Sequence, residues 1–284
     1  MHSIALPGAG PALPALGLGT WRIGESARRR ATEVQALRSA LDMGWRLIDT
    51  AEMYGDGGSE EAIGEALAQA QRAGLRRESL FLVSKVYPHN ASRQGTVAAC
   101  ERSLRRLGVD RLDLYLLHWR GSVPLAETVD AMESLVAAGR IARWGVSNFD
   151  VDDMQELWSV DGGDACAANQ VYYSLSERGP AHSLLPWLRA HAVALMAYSP
   201  LDQGALADDA ALHALAQAQG CTPAQLALAW LLAQPGVCAL PKAVGPTHLR
   251  ENLQAAELSL LPEVAAELAR RYAPPARKTP LAMI

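Results

Sequence analysis

The strongest constraint on the fold is an alternation, repeated eight times, between a short apolar run and an amphipathic stretch of about ten to fifteen residues. The apolar runs predict strands, and helical patterns such as 32–43, 60–71, 94–107 and 125–138 separate them. The predicted strands span 16–21, 46–49, 80–86, 112–118, 142–148, 165–171, 193–199 and 237–242. Strands joined through helices pair in parallel, and unbroken apolar runs are typical of parallel strands buried on both faces. The pattern predicts an α/β fold with a parallel sheet.

The number of predicted strands and the chain length favour a closed barrel. A chain of 284 residues fits a (β/α)8 TIM barrel, which has a typical length of about 250 residues. The alternative is an open, doubly wound sheet, but no GxGxxG motif follows the first predicted strand. Because no linker divides the sequence, we expect one barrel domain over residues 1–284, with a short N-terminal segment and a C-terminal helix and tail.

The charge composition argues against nucleic acid or a membrane surface as a partner. The chain has 26 basic and 30 acidic residues, whereas both partners require a basic excess. Two stretches contain no Asp, Glu, Lys or Arg, residues 1–21 and 221–241. The first does not have the basic start of a signal peptide, and Pro235 leaves the second too short for a membrane helix. The cysteines at 100, 166, 221 and 238 lack the spacing of a metal site or disulfide framework. We therefore expect a cytoplasmic protein with reduced thiols and no metal.

Polar residues follow the predicted strands at their carboxyl ends, where barrel enzymes carry their active sites. These residues are Asp49, Lys85, His118, Ser147, Asn148, Asn169, Gln170, Ser199 and Lys242. Burying an acid, a lysine and a histidine on successive strands is expensive unless they pair with one another. The pattern predicts an active site.

Three of these residues, together with Tyr54, suit protonation of a carbonyl oxygen. Tyr54 follows Asp49 in a glycine-rich loop, and a free phenol with a pKa near 10 is a poor acid at neutral pH. A neighbouring Lys85 ammonium would lower that pKa, and Asp49 would hold the lysine in place. His118 would orient the same substrate oxygen. Taken singly, a histidine or aromatic residue at such a position is more often part of the core.

The sequence resembles the aldo-keto reductase family over nearly its whole length. The matching segments are GLGTW (17–21), LIDTAEMYG (47–55), VSKV (83–86), DLYLLHW (113–119), GVSNF (145–149), NQV (169–171), AYSPL (197–201), PKAV (241–244) and REN (250–252). The segments EMYGDGG, SKVYP, LLHW and KTPLAMI are similar to bacterial methylglyoxal reductase-type members. The resemblance implies NADPH-dependent reduction of small aldehydes and ketones, such as methylglyoxal and similar reactive carbonyls, by a monomer.

The resemblance also implies roles for individual residues. Tyr54 is the implied general acid, Asp49 and Lys85 tune its pKa, and His118 orients the substrate. The implied cofactor contacts are Gly19, Thr20, Trp21, Asp49, Ser147, Asn148, Gln170, Tyr198, Ser199, Pro200, Leu201, Gly204, Lys242, Ala243, Val244, His248, Glu251 and Asn252. The implied substrate contacts are Trp21, Tyr87, His118 and Trp119.

The adenosine end of this implied cofactor site departs from the family pattern. NADPH-preferring members have serine and arginine at the positions of Ala243 and His248. An imidazole is only partly charged at pH 7 and lacks the fork of a guanidinium, so it recognises a 2′-phosphate more weakly. Arg250 lies about 200° around a helix from His248 and does not simply replace it. We expect NADPH to be preferred, with NADH as a possible cofactor.

Two other functions stay open at this point. Lys85 could form a Schiff base in an aldolase-type barrel, although that reading leaves GVSNF and AYSPL unexplained. The chain could also be a nicotinamide-binding redox sensor or regulatory subunit, although such relatives carry an N-terminal extension or docking surface and this chain starts directly into the barrel. The short loop after Leu201 predicts little closure over the cofactor and fast cofactor exchange.

Overall fold

A computed structural model describes residues 2–8 and 10–284 and shows a parallel eight-stranded sheet. Met1 and Ala9, which the predicted domain includes, lie outside the described residues. The sheet strands are β3 Leu18–Gly19, β4 Leu47–Asp49, β5 Phe81–Val86, β6 Leu114–Leu117, β7 Trp144–Ser147, β8 Ala168–Tyr172, β9 Ala194–Tyr198 and β10 Val237–Leu240. They pair in chain order from β3 to β10.

Backbone hydrogen bonds between the first and last strands close the sheet into a barrel. The N–H of Gly17 donates to the carbonyl of Ala239 at 2.9 Å, and the N–H of Gly19 donates to that of Pro241 at 3.0 Å. A Cβ at Gly17 would lie 2.4 Å from the side chain of Leu47, so only glycine fits at this position, where the chain pairs with the last strand. The predicted (β/α)8 barrel is confirmed.

Helices follow the strands around the barrel. They are α1 Arg30–Met43, α2 Gly58–Arg72, α3 Arg93–Leu107, α4 Leu125–Ala137, α5 Val151–Trp158, α6 Leu184–Ala190, α7 Ala210–Gln219, α8 Pro223–Leu232, α9 Pro246–Ala255 and α10 Pro262–Arg271. Local sequence sets several of their starts. The side chain of Ser92 caps α3, and Thr222 forms a capping box with Gln225 in α8, where Pro223 takes the first helical position.

The predicted elements lie within three residues of the observed ones at either end. The largest shift is in the sixth predicted strand, where Gly163–Ala165 form a 3-10 turn and the strand begins at Ala168. Gly162 adopts a left-handed turn conformation, with φ +75°, and the strand therefore begins three residues later than predicted.

An antiparallel hairpin at the amino ends of the strands was not predicted. It pairs β1 Ser3–Ile4 with β2 Leu13–Pro14. Leu13 of the hairpin packs into the apolar cluster inside the barrel, together with Leu47, Phe81, Val83, Leu114, Leu116, Ala167, Ala168, Ala194, Met196, Cys238 and Leu240. The hairpin thus covers the end of the barrel opposite the carboxyl ends of the strands, and leaves that second end for the site.

Among the described residues, none of the helices has both the length and the apolar character needed to cross a membrane. The cysteines at positions 100, 166, 221 and 238 are all free thiols.

Candidate functional site

A buried ion pair forms the centre of the site. Lys85 of β5 is fully buried and its Nζ donates to Asp49 Oδ2 at 2.8 Å, where Asp49 ends β4. The same ammonium donates to the carbonyl of Thr50 at 2.8 Å and to Tyr54 Oη at 3.3 Å. Three acceptors match its three protons. Burial opposes the charge, yet the Asp49 carboxylate and Tyr54 hold the pKa of Lys85 above its usual value.

This protonated state argues against Schiff-base chemistry. A lysine that attacks a carbonyl carbon must be neutral, which requires a lowered pKa. Lys85 has a raised pKa and its nitrogen is surrounded by acceptors. The arrangement instead presents a fixed positive charge to Tyr54.

A tight loop after β4 brings Tyr54 beside the ion pair. Its turn contains left-handed residues at Gly55 (φ 60°), Asp56 (φ 53°) and Gly57 (φ 89°). A Cβ at Gly55 would lie 2.8 Å from the backbone of Gly24, so the loop packs closely against the segment after β3. The chain direction that aims Tyr54 inward therefore depends on the glycines of the sequence GDGG.

The acidity of Tyr54 differs from the expectation drawn from the sequence. Lys85 does lower the pKa of the phenol, as predicted, but burial raises it and outweighs the lysine, with Asp49 adding to the rise. The net pKa of Tyr54 is above 10.0 in the absence of other molecules. Tyr54 therefore holds its proton at neutral pH, and Lys85 is placed to stabilise the phenolate that a proton transfer would leave.

His118 faces Tyr54 across the site. It follows β6, is 7 % exposed, and its ring centroid lies 5.8 Å from that of Tyr54 in an edge-on arrangement. Burial, and then Lys85, lower its pKa well below 6.5, so the imidazole is neutral. Its Nδ1 is buried without a hydrogen-bond partner. A neutral ring beside a phenol can donate to, or accept from, a substrate oxygen.

Aromatic side chains form a wall next to His118. The ring of Trp119 lies 5.0 Å from His118 and 5.6 Å from Tyr87, the latter in an edge-to-face contact. Tyr87 lies 6.5 Å from His118. Trp21, the third predicted wall residue, follows β3 at the same end of the barrel and carries the Arg22 guanidinium 4.4 Å above its ring. The structure thus brings Tyr87 and Trp119 together with His118, and places Trp21 at the same end of the barrel.

Amide and hydroxyl groups line the carboxyl ends of β7, β8 and β9. Ser147 Oγ donates to the carbonyl of Gln170 at 2.8 Å, and Gln170 Nε2 donates to Asp49 Oδ1 at 2.7 Å. Tyr198 Oη donates to Asn148 Oδ1 at 2.9 Å, while Asn148 Nδ2 donates to the carbonyl of His118 at 3.1 Å. We call Ser147, Asn148, Gln170 and Tyr198 the amide shelf.

Backbone strain accompanies the amide shelf. Asn148 and Ser199 adopt left-handed conformations, with φ of 59° and 47°, directly after β7 and β9. Such conformations cost energy in residues other than glycine and are common at functional sites. At Asn148 the turn sends the side-chain amide back toward His118 and Tyr198.

The segment after β9 carries four of the residues predicted to bind the cofactor. Pro200 is buried, Ser199 and Leu201 are half-buried, and Gly204 is exposed in a 3-10 segment spanning Asp202–Asp208. Asp202 fixes the start of this segment by accepting hydrogen bonds from Tyr172 and, at 3.0 Å, from Ser174. The ring of Tyr172 also stacks on that of Tyr198 at 5.8 Å. Sequence reasoning gave Tyr172 no role.

The remaining predicted cofactor residues follow β10 and β3, the strands next to β9 and across the barrel closure. Lys242, Val244 and His248 are exposed, Glu251 is half-buried, and Ala243 and Asn252 are buried. His248 Nδ1 lies 3.3 Å from Glu251 Oε2, so α9 already offers this imidazole a carboxylate partner. Near β3, Gly19 pairs with Asp49, and Thr20 is fully buried with its hydroxyl donated to the carbonyl of Asp49 at 2.9 Å.

Sequence reasoning missed Glu52, which is buried at the site and bonded to the segment after β5. The sequence feature that could have identified Glu52 is its position as the one acidic residue in the otherwise uncharged stretch from Thr50 to Tyr54.

Comparisons with known proteins agree with this geometry. The Aldo/keto reductase family model matches residues 15–272. Methylglyoxal reductase YeaE of Escherichia coli (strain K12) is 50% identical over 277 residues, covering 96% of this chain and 95% of that protein.

Solved structures are similar over the same length. An aldo-keto reductase from Klebsiella pneumoniae in complex with NADPH is 49% identical, with a TM-score of 0.92 and coverage of 100% of both chains. An aldo/keto reductase from Klebsiella pneumoniae in complex with NADP and acetate is 50% identical, with a TM-score of 0.90 and coverage of 96% of each chain. The family match over most of the chain, on a barrel carrying the Asp49, Tyr54, Lys85 and His118 cluster, shows that this chain belongs to the aldo/keto reductase family.

Proposed function

We propose that this protein reduces methylglyoxal and similar small aldehydes and ketones, with NADPH as the preferred cofactor. As an aldo/keto reductase it is an oxidoreductase that converts carbonyl groups to alcohols. The observation that carries the assignment is the Lys85 ammonium 3.3 Å from Tyr54 Oη, with the Asp49 carboxylate behind it. The likeness to a methylglyoxal reductase at 50% identity supports the substrate class.

The site chemistry fits a nicotinamide cofactor. The amide shelf offers hydroxyl and amide groups suited to a carboxamide, and Tyr172 stacks on the Tyr198 ring at 5.8 Å, which fixes the plane against which a flat ring would pack. No side chain can supply a hydride, so the bound cofactor supplies it. Ser147, Asn148, Gln170 and Tyr198 would hold the nicotinamide, and the residues near Ser199 and α9 would hold the phosphates and adenosine.

The protein's own groups handle the carbonyl oxygen. Tyr54 and His118 have ring centroids 5.8 Å apart, and a carbonyl oxygen bound beside both can accept from the phenol while the neutral imidazole orients it. Tyr54 donates the proton from Oη as negative charge develops on that oxygen. Lys85 stabilises the resulting phenolate, and Asp49 keeps the ammonium in position. Tyr87 and Trp119 exclude water from one side.

The first test measures the loss of absorbance at 340 nm with methylglyoxal and either NADPH or NADH. We expect wild type to oxidise NADPH and Tyr54→Phe to lose at least about 10²-fold in kcat, since it removes the general acid. Tyr173→Phe is the matched control, because it removes a buried phenol oxygen that bonds Gln234 elsewhere. Binding of NADPH without turnover of any aldehyde would instead favour a redox sensor.

The predicted weakness of the 2′-phosphate site has its own test. His248→Arg restores a guanidinium at an exposed position of α9, and we expect the ratio of kcat/KM for NADPH over NADH to rise about tenfold. Arg250→Gln is the control, because Arg250 lies in the same helix about 200° away. An unchanged ratio in His248→Arg would contradict this assignment of the phosphate position.

We further propose that the protein works as a monomer in the cytoplasm. The free cysteines at positions 100, 166, 221 and 238 suit a reducing compartment. Size-exclusion chromatography with light scattering tests the monomer, for which the expected mass is 30.4 kDa.

A further inference from the structure

Glu52 is a buried carboxylate that the reaction chemistry described above does not use. It lies two residues before Tyr54 and is only 6 % exposed. Placing a carboxylate in such a position is costly unless hydrogen bonds and charges compensate. The hydrogen-bond partners of Glu52 therefore indicate the role of its carboxylate.

The Glu52 carboxylate bonds to two separate elements. Its Oε1 accepts from the backbone N–H of Tyr87 at 2.9 Å and from Asn90 Nδ2 at 3.0 Å, both in the segment after β5. Its Oε2 accepts from Arg102 of α3 at 3.2 Å. The backbone N–H of Glu52 itself donates to the carbonyl of Lys85 at 3.3 Å.

These contacts tie the loop that carries Tyr54 to the wall that carries Tyr87. The pairing of β5 with β6 ends at Val86, and the next backbone N–H, that of Tyr87, donates to Glu52 Oε1 instead of to a strand. That direction sets where the Tyr87 ring meets Trp119 and His118.

We infer that Glu52 is a positioning residue, whose carboxylate holds Tyr87 in the aldehyde-binding wall and thereby sets how well aromatic aldehydes bind relative to small ones. The inference rests on the proposed function, because it requires an aldehyde bound beside Tyr87. Glu52 touches no reacting atom in this scheme and acts through the Tyr87 backbone.

The test compares Glu52→Ala and Glu52→Gln with two substrates, methylglyoxal and 4-nitrobenzaldehyde. For Glu52→Ala we expect KM for the aromatic aldehyde to rise about tenfold, with KM for methylglyoxal and both kcat values changing less than about threefold. If Tyr87 is no longer held in place, the aromatic aldehyde loses more of its contacts than methylglyoxal, which has only three carbons. Glu52→Gln keeps an oxygen toward Tyr87 and Asn90, so we expect it to restore most of the aromatic KM.

Asp113 provides a matched control at the opposite end of the barrel. It is 2 % exposed, precedes β6, and its Oδ2 accepts from the N–H of Leu82 and from Arg77, each at 2.8 Å. Asp113→Ala therefore removes the same kind of contact away from the site. We expect it to lower the melting temperature and to leave both KM values unchanged.

A double-mutant cycle with Tyr87→Ala separates action through the wall from a general loss of structure. If Glu52 acts through Tyr87, adding Glu52→Ala to Tyr87→Ala raises the aromatic KM no further. In the ligand-free proteins, near-ultraviolet circular dichroism should show Glu52→Ala altering the signal of the Tyr87 and Trp119 pair, with NADPH binding by fluorescence unchanged.

The outcomes separate this inference from the proposed function. Absence of turnover in wild type overturns the proposed function and the inference with it. Active wild type with an unchanged aromatic KM in Glu52→Ala overturns the inference alone. A fall confined to kcat would also overturn it, since Glu52 would then act on Tyr54.

Discussion

At the scale of single residues, the site depends on charges that are stable only together. Asp49 and Lys85 are both nearly fully buried, and each satisfies the other. Gln170 binds the second oxygen of Asp49. Both oxygens of the carboxylate are therefore bonded, which fixes its orientation. The same groups that tune Tyr54 are therefore also part of the stability of the fold.

Removing one partner of the ion pair should cost more stability than removing both. Lys85→Met leaves a buried carboxylate, and we expect the free energy of unfolding to fall by about 3–5 kcal/mol, whereas Asp49→Asn/Lys85→Met should lose less. Both proteins should lack reductase activity, because neither can stabilise the Tyr54 phenolate. Urea denaturation and the 340 nm assay measure the two effects. A double variant less stable than Lys85→Met would contradict the pairing.

His118 should make the protein less stable in mild acid. Burial, and then Lys85, hold its folded-state pKa well below 6.5, so below pH 6.5 the unfolded chain binds a proton that the folded chain refuses. Stability therefore falls as the pH drops from 7 toward 5. His118→Gln should show a smaller fall over that window in urea titrations at several pH values, and an identical fall would show that another group is responsible.

At the scale of elements, the N-terminal hairpin depends on one side chain from a distant strand. Arg143 precedes β7, is 5 % exposed, and donates to the carbonyls of Pro7, Gly8, Gly10 and Pro11. A two-residue ladder cannot hold a hairpin without such support. The guanidinium thus anchors four backbone carbonyls of the segment that joins the two hairpin strands.

Removing Arg143 should detach the hairpin and spare the site. For Arg143→Ala we expect a loss of about 3 kcal/mol or more, because several carbonyls lose a charged donor. Arg143→Lys should recover only part of it, since an ammonium cannot reach the same fork of acceptors. Hydrogen exchange at Ile4 and KM for methylglyoxal are the measurements; a raised KM would show that the hairpin reaches the catalytic end.

At the scale of the whole molecule, one apolar cluster inside the barrel joins strands from all sides. Its side chains come from β4, β5, β6, β8, β9 and β10, with Leu13 closing the base. The functional groups at the ends of these strands therefore sit on a scaffold whose packing is shared.

A cavity in this inner cluster should affect the whole barrel. We expect Leu116→Ala, at a fully buried position, to lower the free energy of unfolding by about 2–5 kcal/mol. Leu261→Ala, at a 39 % exposed position outside the barrel, should change it by less than about 0.5 kcal/mol. Unfolding followed by circular dichroism compares them, and equal losses would contradict a shared inner core.

The sequence by itself determined the alternation of strands and helices, and with it the barrel. Hydrophobic periodicity is a local property, as are caps such as Thr222, so both can be read without knowing the fold. Because the carboxyl ends of parallel strands meet at one end, the grouping of Asp49, Lys85 and His118 followed from the strand order alone. The loop after Asp49 supplied Tyr54, the strand ends supplied Ser147, Asn148 and Gln170, and the family resemblance added Tyr198 and the roles of the amide shelf in cofactor binding.

The tertiary structure decided what depends on contacts between distant segments. Arg143 stabilises the hairpin from more than 130 residues away in the sequence, and no local sequence pattern predicts this contact. The net pKa of Tyr54 depends on how much burial outweighs Lys85, a balance set by packing around the loop. The link from Glu52 to Tyr87 crosses 35 residues of sequence. Desolvation and hydrogen-bond partners are properties of three-dimensional surroundings, and periodicity in a sequence carries no information about them.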